Sequence, residues 1–329
     1  MSSMYLVKQG SILRSSSEQL IIEYKGHILE KIPIIYIDKI LIFGNIQVTS
    51  QTISLLLEKD IDVAFLSSKG KLKGSLCANK SKNIYIRLAQ FEKFKDMNFK
   101  LKLIKEIVKT KLFNQLKVIK KYSYIYPEIT LDSEISTINK IIPLVDERFE
   151  VDEIMGYEGA GSAAYFKFFS KIMRGDFIFE GRKMHPSTDP VNAMLSLGYV
   201  MLTNEIASLL ESSSFDPYFG FFHGIRYGRQ SLPLDIIEEF RQPFIDMFTL
   251  KLINKKVFTK KDFEVHNDGS CIFIEDSLKK YFSLYEEYMN ELTSDYDMNE
   301  QSRRNFLKRQ VERLSDSVLT EYGYKAFLF

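Results

Sequence analysis

The chain has 329 residues, of which 45% are hydrophobic and 27% charged. That is enough for two domains or one large one, with a core that needs no disulfide or metal staples. Abundant Ile, Leu, Phe and Tyr exclude a mainly disordered chain, and two distant cysteines, Cys77 and Cys271, exclude a disulfide scaffold and suit a reducing cytoplasm. The net charge of +2 conceals an asymmetry. Residues 67–121 hold 16 Lys and Arg against three acids, an excess that a polyanion would feel and that a solvated helix surface would also display. No run reaches the ~18 consecutive apolar residues of a membrane span. The best candidate, residues 193–202, is stopped by Asn204 and Glu205 and reads as a buried helix. Residues 1–10 lack the layout of a signal peptide. The expected location is therefore the cytoplasm, with neither export nor a membrane anchor.

In chain order, the first part reads as β. Short apolar runs at 5–7, 19–24, 27–32 and 34–43 are punctuated by Gly10, Gly26 and Gly44. Lys25-Gly26 suits a hairpin turn, and Pro33 suits an edge strand or a strand start. A helix follows at 49–59 with Ser50 as candidate cap, then a strand at 61–66 and a basic turn, K-G-K-L-K-G. After residue 81 glycine nearly vanishes until Gly156, and helical periodicity takes over. Residues 99–121 carry an apolar stripe of Leu101, Leu103, Ile104, Ile107, Val108, Leu112 and Leu116. Further helices are expected at 162–172, 191–208, 235–252, 276–292 and 303–314. The expected fold is α+β, with a small β-sandwich-like domain at 1–80 followed by a larger all-α catalytic domain at 81–329.

Of the four histidines, His27 reads as a turn or surface residue, and His266 sits in a turn signal with Cys271 but too few ligands for zinc. His185 falls in a loop beside Arg182 and Lys183, where it suits either a plain surface or phosphate contact. His223 differs. It lies in F-G-F-F-H-G-I-R-Y-G-R-Q-S-L-P-L-D-I-I-E-E-F-R, after an aromatic run and before Arg226 and Arg229. Ser231 and Pro233 announce a helix on which Asp235 and Glu238, three apart, share a face. Glu239 is expected to point to solvent. Two carboxylates near an imidazole suit Mg²⁺ or Mn²⁺, although acids in a first helical turn also complement the helix dipole. The segment G-Y-E-G-A-G-S-A-A-Y at 156–165 lacks the lysine and glycine order of a phosphate loop. It reads as a close-packed turn that exposes Glu158.

Three segments, Y-E-G-A-G-S-A-A-Y-F, D-P-V-N-A-M-L-S-L-G-Y and G-F-F-H-G-I-R-Y-G-R-Q-S-L-P-L-D-I-I-E-E-F-R, occur in that order. With I-D-K-I-L-I-F-G-N-I-Q-V-T-S, D-I-D-V-A-F-L-S-S-K-G and N-I-Y-I-R-L-A-Q before them, they make the whole chain resemble the Cas1 family, the CRISPR-associated integrases of spacer acquisition. In the family's β-domain-plus-linker layout, residues 83–90 match the linking segment. The resemblance implies a metal-dependent DNA endonuclease and integrase in which a 3′-hydroxyl of a short DNA attacks a phosphodiester of the CRISPR repeat. It implies Glu158, His223 and Glu238 as ligands of Mg²⁺ or Mn²⁺, with Asp235 in a supporting catalytic role. Arg226, Arg229 and Arg241 become candidate phosphate clamps, and Arg182 and Lys183 match the family's DNA-contacting stretch loosely. The partners implied are double-stranded DNA with 3′ ends, repeat DNA, a second copy of the chain and the small Cas2 protein, and no membrane. Two alternatives stay open: a DNA-binding scaffold, which the charge asymmetry alone would support, and a stand-alone nuclease for branched DNA, which would need neither partner protein nor repeat.

Overall fold

The computed structural model describes residues 3–68, 70, 72–76, 83–174, 176–183, 186–320 and 322–329. Two compact units divide the chain: Met1–Lys82 with Phe273–Glu287, and Asn83–Ile272 with Tyr288–Phe329. Nothing in the sequence signals that 273–287 belongs with the first unit.

In the first unit the strands are β1 (Ser3–Leu6), β2 (Ile12–Ser16), β3 (Gln19–Tyr24), β4 (His27–Pro33), β5 (Lys39–Phe43) and β6 (Gln47–Val48). Helix α1 (Ser50–Glu58), β7 (Asp62–Leu66) and β8 (Leu72–Leu76) follow. One sheet runs β1-β5-β7-β8, parallel until the antiparallel β8; the other runs β4-β3-β2-β6, antiparallel until the parallel β6. Strand β5 (K-I-L-I-F) is buried throughout, as a continuous apolar strand inside a parallel sheet should be. Met4, Ile40, Ile42 and Val63 of one sheet share a core with Leu13, Leu20 and Ile22 of the other, closed by Leu56 of α1. This is the expected sandwich-like arrangement. Lys25 and Gly26 both have positive φ, +49° and +81°, as a two-residue hairpin turn between right-twisted strands demands.

Three local readings need correction. The run 34–43 is not one strand, because a 3₁₀ turn, Ile34–Tyr36, precedes β5. Leu72, Lys73 and Gly74 of the K-G-K-L-K-G stretch are not a turn but the start of β8, paired with β7. The cap of α1 is Thr49, whose hydroxyl accepts the Thr52 N–H, and not Ser50. Strands β2 and β6 went unread because Arg14, Ser15 and Ser16 dilute the first and the second is two residues long.

The second unit is built on α2 (Ile84–Lys95), α3 (Met97–Ile125), α4 (Asp132–Asp146), α5 (Val151–Ile172), α6 (Pro190–Ser212), α7 (Ser231–Ile237) and α8 (Met247–Asn254). A π-helical stretch, Arg241–Asp246, joins α7 to α8; Pro243 within it has no N–H for an ordinary α-helical ladder. Next in the chain come β9 (Phe263–Val265), β10 (Cys271–Phe273), α9 (Glu275–Asn290), which lies mostly in the first unit, and then β11 (Leu292–Ser294), β12 (Glu300–Ser302) and α10 (Arg303–Leu319) of the second. The axis of this unit is α3, started by Asp96, which accepts the N–H groups of Asn98 and Phe99. Its buried face runs through Leu103, Ile104, Ile107, Val108, Leu112, Leu116 and Ile119. Helix α6 is long and apolar enough to cross a membrane, and most of its residues are buried within this unit.

The segment 156–165 is not a turn: it lies inside the 22-residue α5. Its glycines lower helix propensity, but Gly161 faces α3, where a Cβ would collide with the Leu112 side chain. Close helix contact therefore outweighs the roughly 1 kcal/mol that a mid-helix glycine costs.

Candidate active site

Residues 215–241 carry most of the candidate side chains, and neighbouring elements fix their path. Helix α2, read from sequence as a linker, presents the buried Gln90. Its amide donates to the carbonyls of Asp216 (2.9 Å) and Phe219 (3.0 Å) and accepts the Asp216 N–H (2.9 Å). Phe91, Phe94 and Phe99 pack on Phe219 and Phe221. Gly220 passes the start of α7 so closely that a Cβ would lie 2.7 Å from the Ser231 backbone carbon. The chain then turns at Gly224, with φ +65°.

Asp235, fully buried on α7, ties this loop down. Its carboxylate accepts the N–H of Phe221 (2.5 Å), Phe222 (3.0 Å) and His223 (2.9 Å). The fourth contact is Nδ1 of the His223 ring at 2.8 Å. A carboxylate engaged by three N–H donors can only accept, so Nδ1 donates and the lone pair of the ring falls on Nε2. Asp235 thus orients the imidazole and is itself saturated. Arg229 donates to the His223 carbonyl and to Ser231 Oγ (3.1 Å), so it braces the loop. Arg226 is exposed on that loop.

Beyond α7 the chain places Glu238 at 4% exposure. Lys111 of α3 is paired at once with Glu158 Oε1 of α5 and, at 2.5 Å, with Glu238 Oε2. Ser162, one helical turn on, donates to Glu158 Oε1 (2.8 Å). Arg241 stands 3.0 Å from Glu238 Oε1. Burial pushes the Glu238 carboxyl up, but Arg241, Lys111 and His223 outweigh it and hold the group down at about 2. Burial likewise pulls the Lys111 ammonium down, and Glu238 and Glu158 reverse the shift so that it ends raised. Both groups are therefore charged at neutral pH.

A second layer lies behind Arg241. The guanidinium groups of Arg241 and Arg182 sit 4.5 and 5.3 Å from the ring of Tyr199, whose hydroxyl donates to Asp246. Burial raises Asp246 to about 6 against the pull of Tyr199 and Arg241. Arg182 is bonded internally to Asn192 Oδ1 (2.7 Å) and Ser196 Oγ (2.9 Å). Lys183 is exposed and paired with Glu180 at 3.0 Å.

The structure thus gathers Glu158 and Glu238 around one ammonium and brings His223 near enough to act on Glu238. Among the described residues no three His, Cys, Asp or Glu side chains form a ready metal cage, and Lys111 stands between the two glutamates. The donor set nevertheless fits a divalent cation. A buried cation already bridges the two carboxylates, and Glu238 Oε2 receives no hydrogen bond of proper geometry. The His223 imidazole, its tautomer fixed by Asp235, is close enough to lower the Glu238 carboxyl electrostatically. Glu158 and Glu238 would supply oxygens and His223 its Nε2.

Glu239 is not solvated. It is fully buried, accepting the Tyr324 hydroxyl (2.5 Å) and the Phe327 N–H (2.6 Å). Basic residues of the 67–121 stretch and of α10 are also partly engaged. Lys109 pairs with Asp146, Arg304 with Glu205 and Arg309 with Asp295, while Arg303 bonds the Tyr288 carbonyl. His27 is exposed at the start of β4, and His266 is exposed beside Glu264. Cys77 and His185 lie outside the described residues. Lys111 itself escaped the sequence reading, although its place among Ile104, Ile107, Val108 and Leu112 puts it on the buried face of α3.

Comparison with known proteins adds three kinds of likeness. The family model of CRISPR associated protein Cas1 matches residues 4–287. A curated protein of Thermodesulfovibrio yellowstonii, CRISPR-associated endonuclease Cas1 1, is 30% identical over 325 residues, 98% of each chain. Among solved structures, a casposase bound to integration product superposes with TM-score 0.88 at 23% identity, over 99% of this chain and 93% of the other. A chain of a Cas6-RT-Cas1–Cas2 complex gives 0.86 at 20% identity, over 100% of this chain and 36% of the other. At such identities the two structures speak for the fold.

Proposed function

The chain belongs to the CRISPR-associated Cas1 family, and from that premise we propose that the pocket of Glu158, His223 and Glu238 is the centre of a metal-dependent DNA endonuclease and integrase of CRISPR adaptation. The observation that carries this reading is the convergence of two glutamates, from α5 and the end of α7, on one cation, with a histidine oriented by Asp235 acting electrostatically on the second of them.

The reaction is phosphodiester exchange: the 3′-hydroxyl of a short DNA attacks a phosphodiester of the repeat, and the leaving strand departs with its own 3′-hydroxyl. Glu158, His223 and Glu238 would hold Mg²⁺ or Mn²⁺, which when bound would supply charge neutralisation at the phosphate and a lower pKa for the attacking hydroxyl. Glu238, held ionised by its cationic neighbours, is ready to coordinate at neutral pH without first losing a proton. Asp235 fixes the imidazole so that Nε2 faces away from its own anchor. Arg241 keeps a buried positive charge beside Glu238, which favours the negative charge that grows on the phosphoryl oxygens in the transition state. Arg226, exposed on the His223 loop, is placed to meet backbone phosphates, Lys183 would reach them only by leaving Glu180, and Arg182 and Arg229 shape the site.

The partners in this reading are double-stranded DNA with free 3′ ends, repeat DNA, a second copy of the chain and a Cas2 protein, in the cytoplasm. The structural neighbours named for an integration product and for Cas1–Cas2 support it. A strand-joining assay with Cas2, Mn²⁺ and a repeat-containing plasmid tests it. His223→Ala and Glu238→Ala are expected to abolish joining while the proteins still bind DNA; full joining by either variant refutes the site.

A further inference from the structure

The pocket balances its charge without a divalent ion. Glu158, Glu238 and Asp246 face Lys111, Arg241 and Arg182 as three carboxylates and three cations in one connected, mostly buried network. Arg182 is held by Asn192 and Ser196, and Arg241, although paired with Glu238 Oε1, also lies over the Tyr199 ring. Lys111 is the exception. The ion pairs that its ammonium makes are with the same two carboxylates that a metal would require, and its side chain is 6% exposed. A divalent ion and this ammonium cannot occupy one gap between two carboxylates, and adding both would leave the network with uncompensated positive charge.

We propose that Lys111 is a resident counter-cation that competes with the divalent ion for Glu158 and Glu238, so that metal seats fully only when the ammonium is drawn away by an anionic phosphodiester. This rests on the metal-site reading above and adds to it a coupling between metal and DNA. The flexible four-carbon stem lets Nζ leave the carboxylates for a phosphate oxygen without moving α3. Metal and DNA then bind with positive cooperativity: each favours the state with the ammonium displaced, and by linkage each raises affinity for the other.

The test is Mn²⁺ binding by the full chain without DNA, followed by calorimetry and by electron paramagnetic resonance of free Mn²⁺. The series is wild type, Lys111→Met, Lys111→Gln, Lys111→Arg and Glu158→Gln. The expected result is Mn²⁺ affinity at least about tenfold higher in Lys111→Met and Lys111→Gln than in wild type. Lys111→Arg stays near wild type, because it keeps the competing charge, and Glu158→Gln loses the site. A short duplex raises Mn²⁺ affinity in wild type but not in Lys111→Met. Melting in EDTA guards against a folding artefact, since the neutral variants should melt lower than wild type and gain more from Mn²⁺. Equal or weaker Mn²⁺ binding by both neutral variants, with the wild-type site intact, overturns the competition. Mn²⁺ binding that is absent from wild type and Lys111→Met alike, or that survives Glu158→Gln, overturns the metal-site reading itself.

Discussion

At the scale of single residues, the site depends on how completely Asp235 is used. Its two oxygens accept three backbone N–H groups and the imidazole, all from residues 221–223. Asp235→Asn would replace one accepting oxygen with an NH₂ that faces donors. We expect it to cost roughly 1–3 kcal/mol of stability, read as a lower melting temperature, and to release the histidine ring. A variant with unchanged melting and unchanged joining would show that the ring needs no anchor. His223, Asp235 and Glu238 were legible because they fall within sixteen residues and carry the right chemistry in one segment. Glu158 was legible only through resemblance, since one carboxylate in a glycine-rich run has no partner in its own neighbourhood of sequence. Lys111 was hidden by company, as one of 16 basic residues in a stretch that reads as solvated surface. Only the helical phase of α3 distinguishes it, and phase alone argues for a buried apolar residue rather than a lysine.

At the scale of elements, the turn holding Glu238 is backed by residues 324–329. Glu239 binds Tyr324 and Phe327, and Asn114 of α3 donates to the carbonyls of both Glu239 and Phe327 (2.9 Å each). Phe327 stacks with Phe240 and packs on Phe244 and Phe306. Helical spacing correctly turned Glu239 away from Asp235 and Glu238. Spacing carries no information about a segment 85 residues later that covers the far side, so the expectation of solvent failed. Burial, opposed by the Tyr324 and Phe327 hydrogen bonds, raises the Glu239 carboxyl from 4.5 to about 8. Between those values the folded chain keeps a proton that the unfolded chain has lost. Stability from this group is therefore full below about pH 4.5 and declines as pH rises toward 8, by on the order of a few kcal/mol. Glu239→Gln, which mimics the protonated group, should flatten the decline in denaturation midpoint across pH 5–8. Parallel pH profiles for variant and wild type would contradict this. The same logic of distance explains part of α5: Gly161 reads as a turn residue because the contact that requires it, with Leu112, comes from another helix.

At the scale of the whole molecule, the alternation of short apolar runs and the later helical periodicity were enough to expect β first and α afterwards. They were not enough to assign 273–287 to the first unit, because that assignment depends on contacts and not on local pattern. The basic surplus needs a finer division than a count provides. Lysines already paired within the fold release few counterions when DNA binds. Lys102 and Lys120, exposed on α3, are available to phosphates, whereas Lys109 is paired with Asp146. Each of Lys102→Ala and Lys120→Ala should reduce the slope of log affinity against log salt by about one, and Lys109→Ala should leave it unchanged. Filter binding or fluorescence anisotropy from 50 to 200 mM salt distinguishes them; an equal effect from all three would mean that internal pairing does not withhold charge from DNA.

The claim on which the rest depends is that Glu158, His223 and Glu238 share a divalent ion. Crystals of the full chain with a short duplex and Mn²⁺, measured for anomalous scattering, address it directly. The account predicts a single strong peak bounded by one oxygen from each glutamate and Nε2 of His223, with Lys111 turned out toward phosphate. A peak seated elsewhere, or none at Mn²⁺ concentrations that support strand joining, would contradict it.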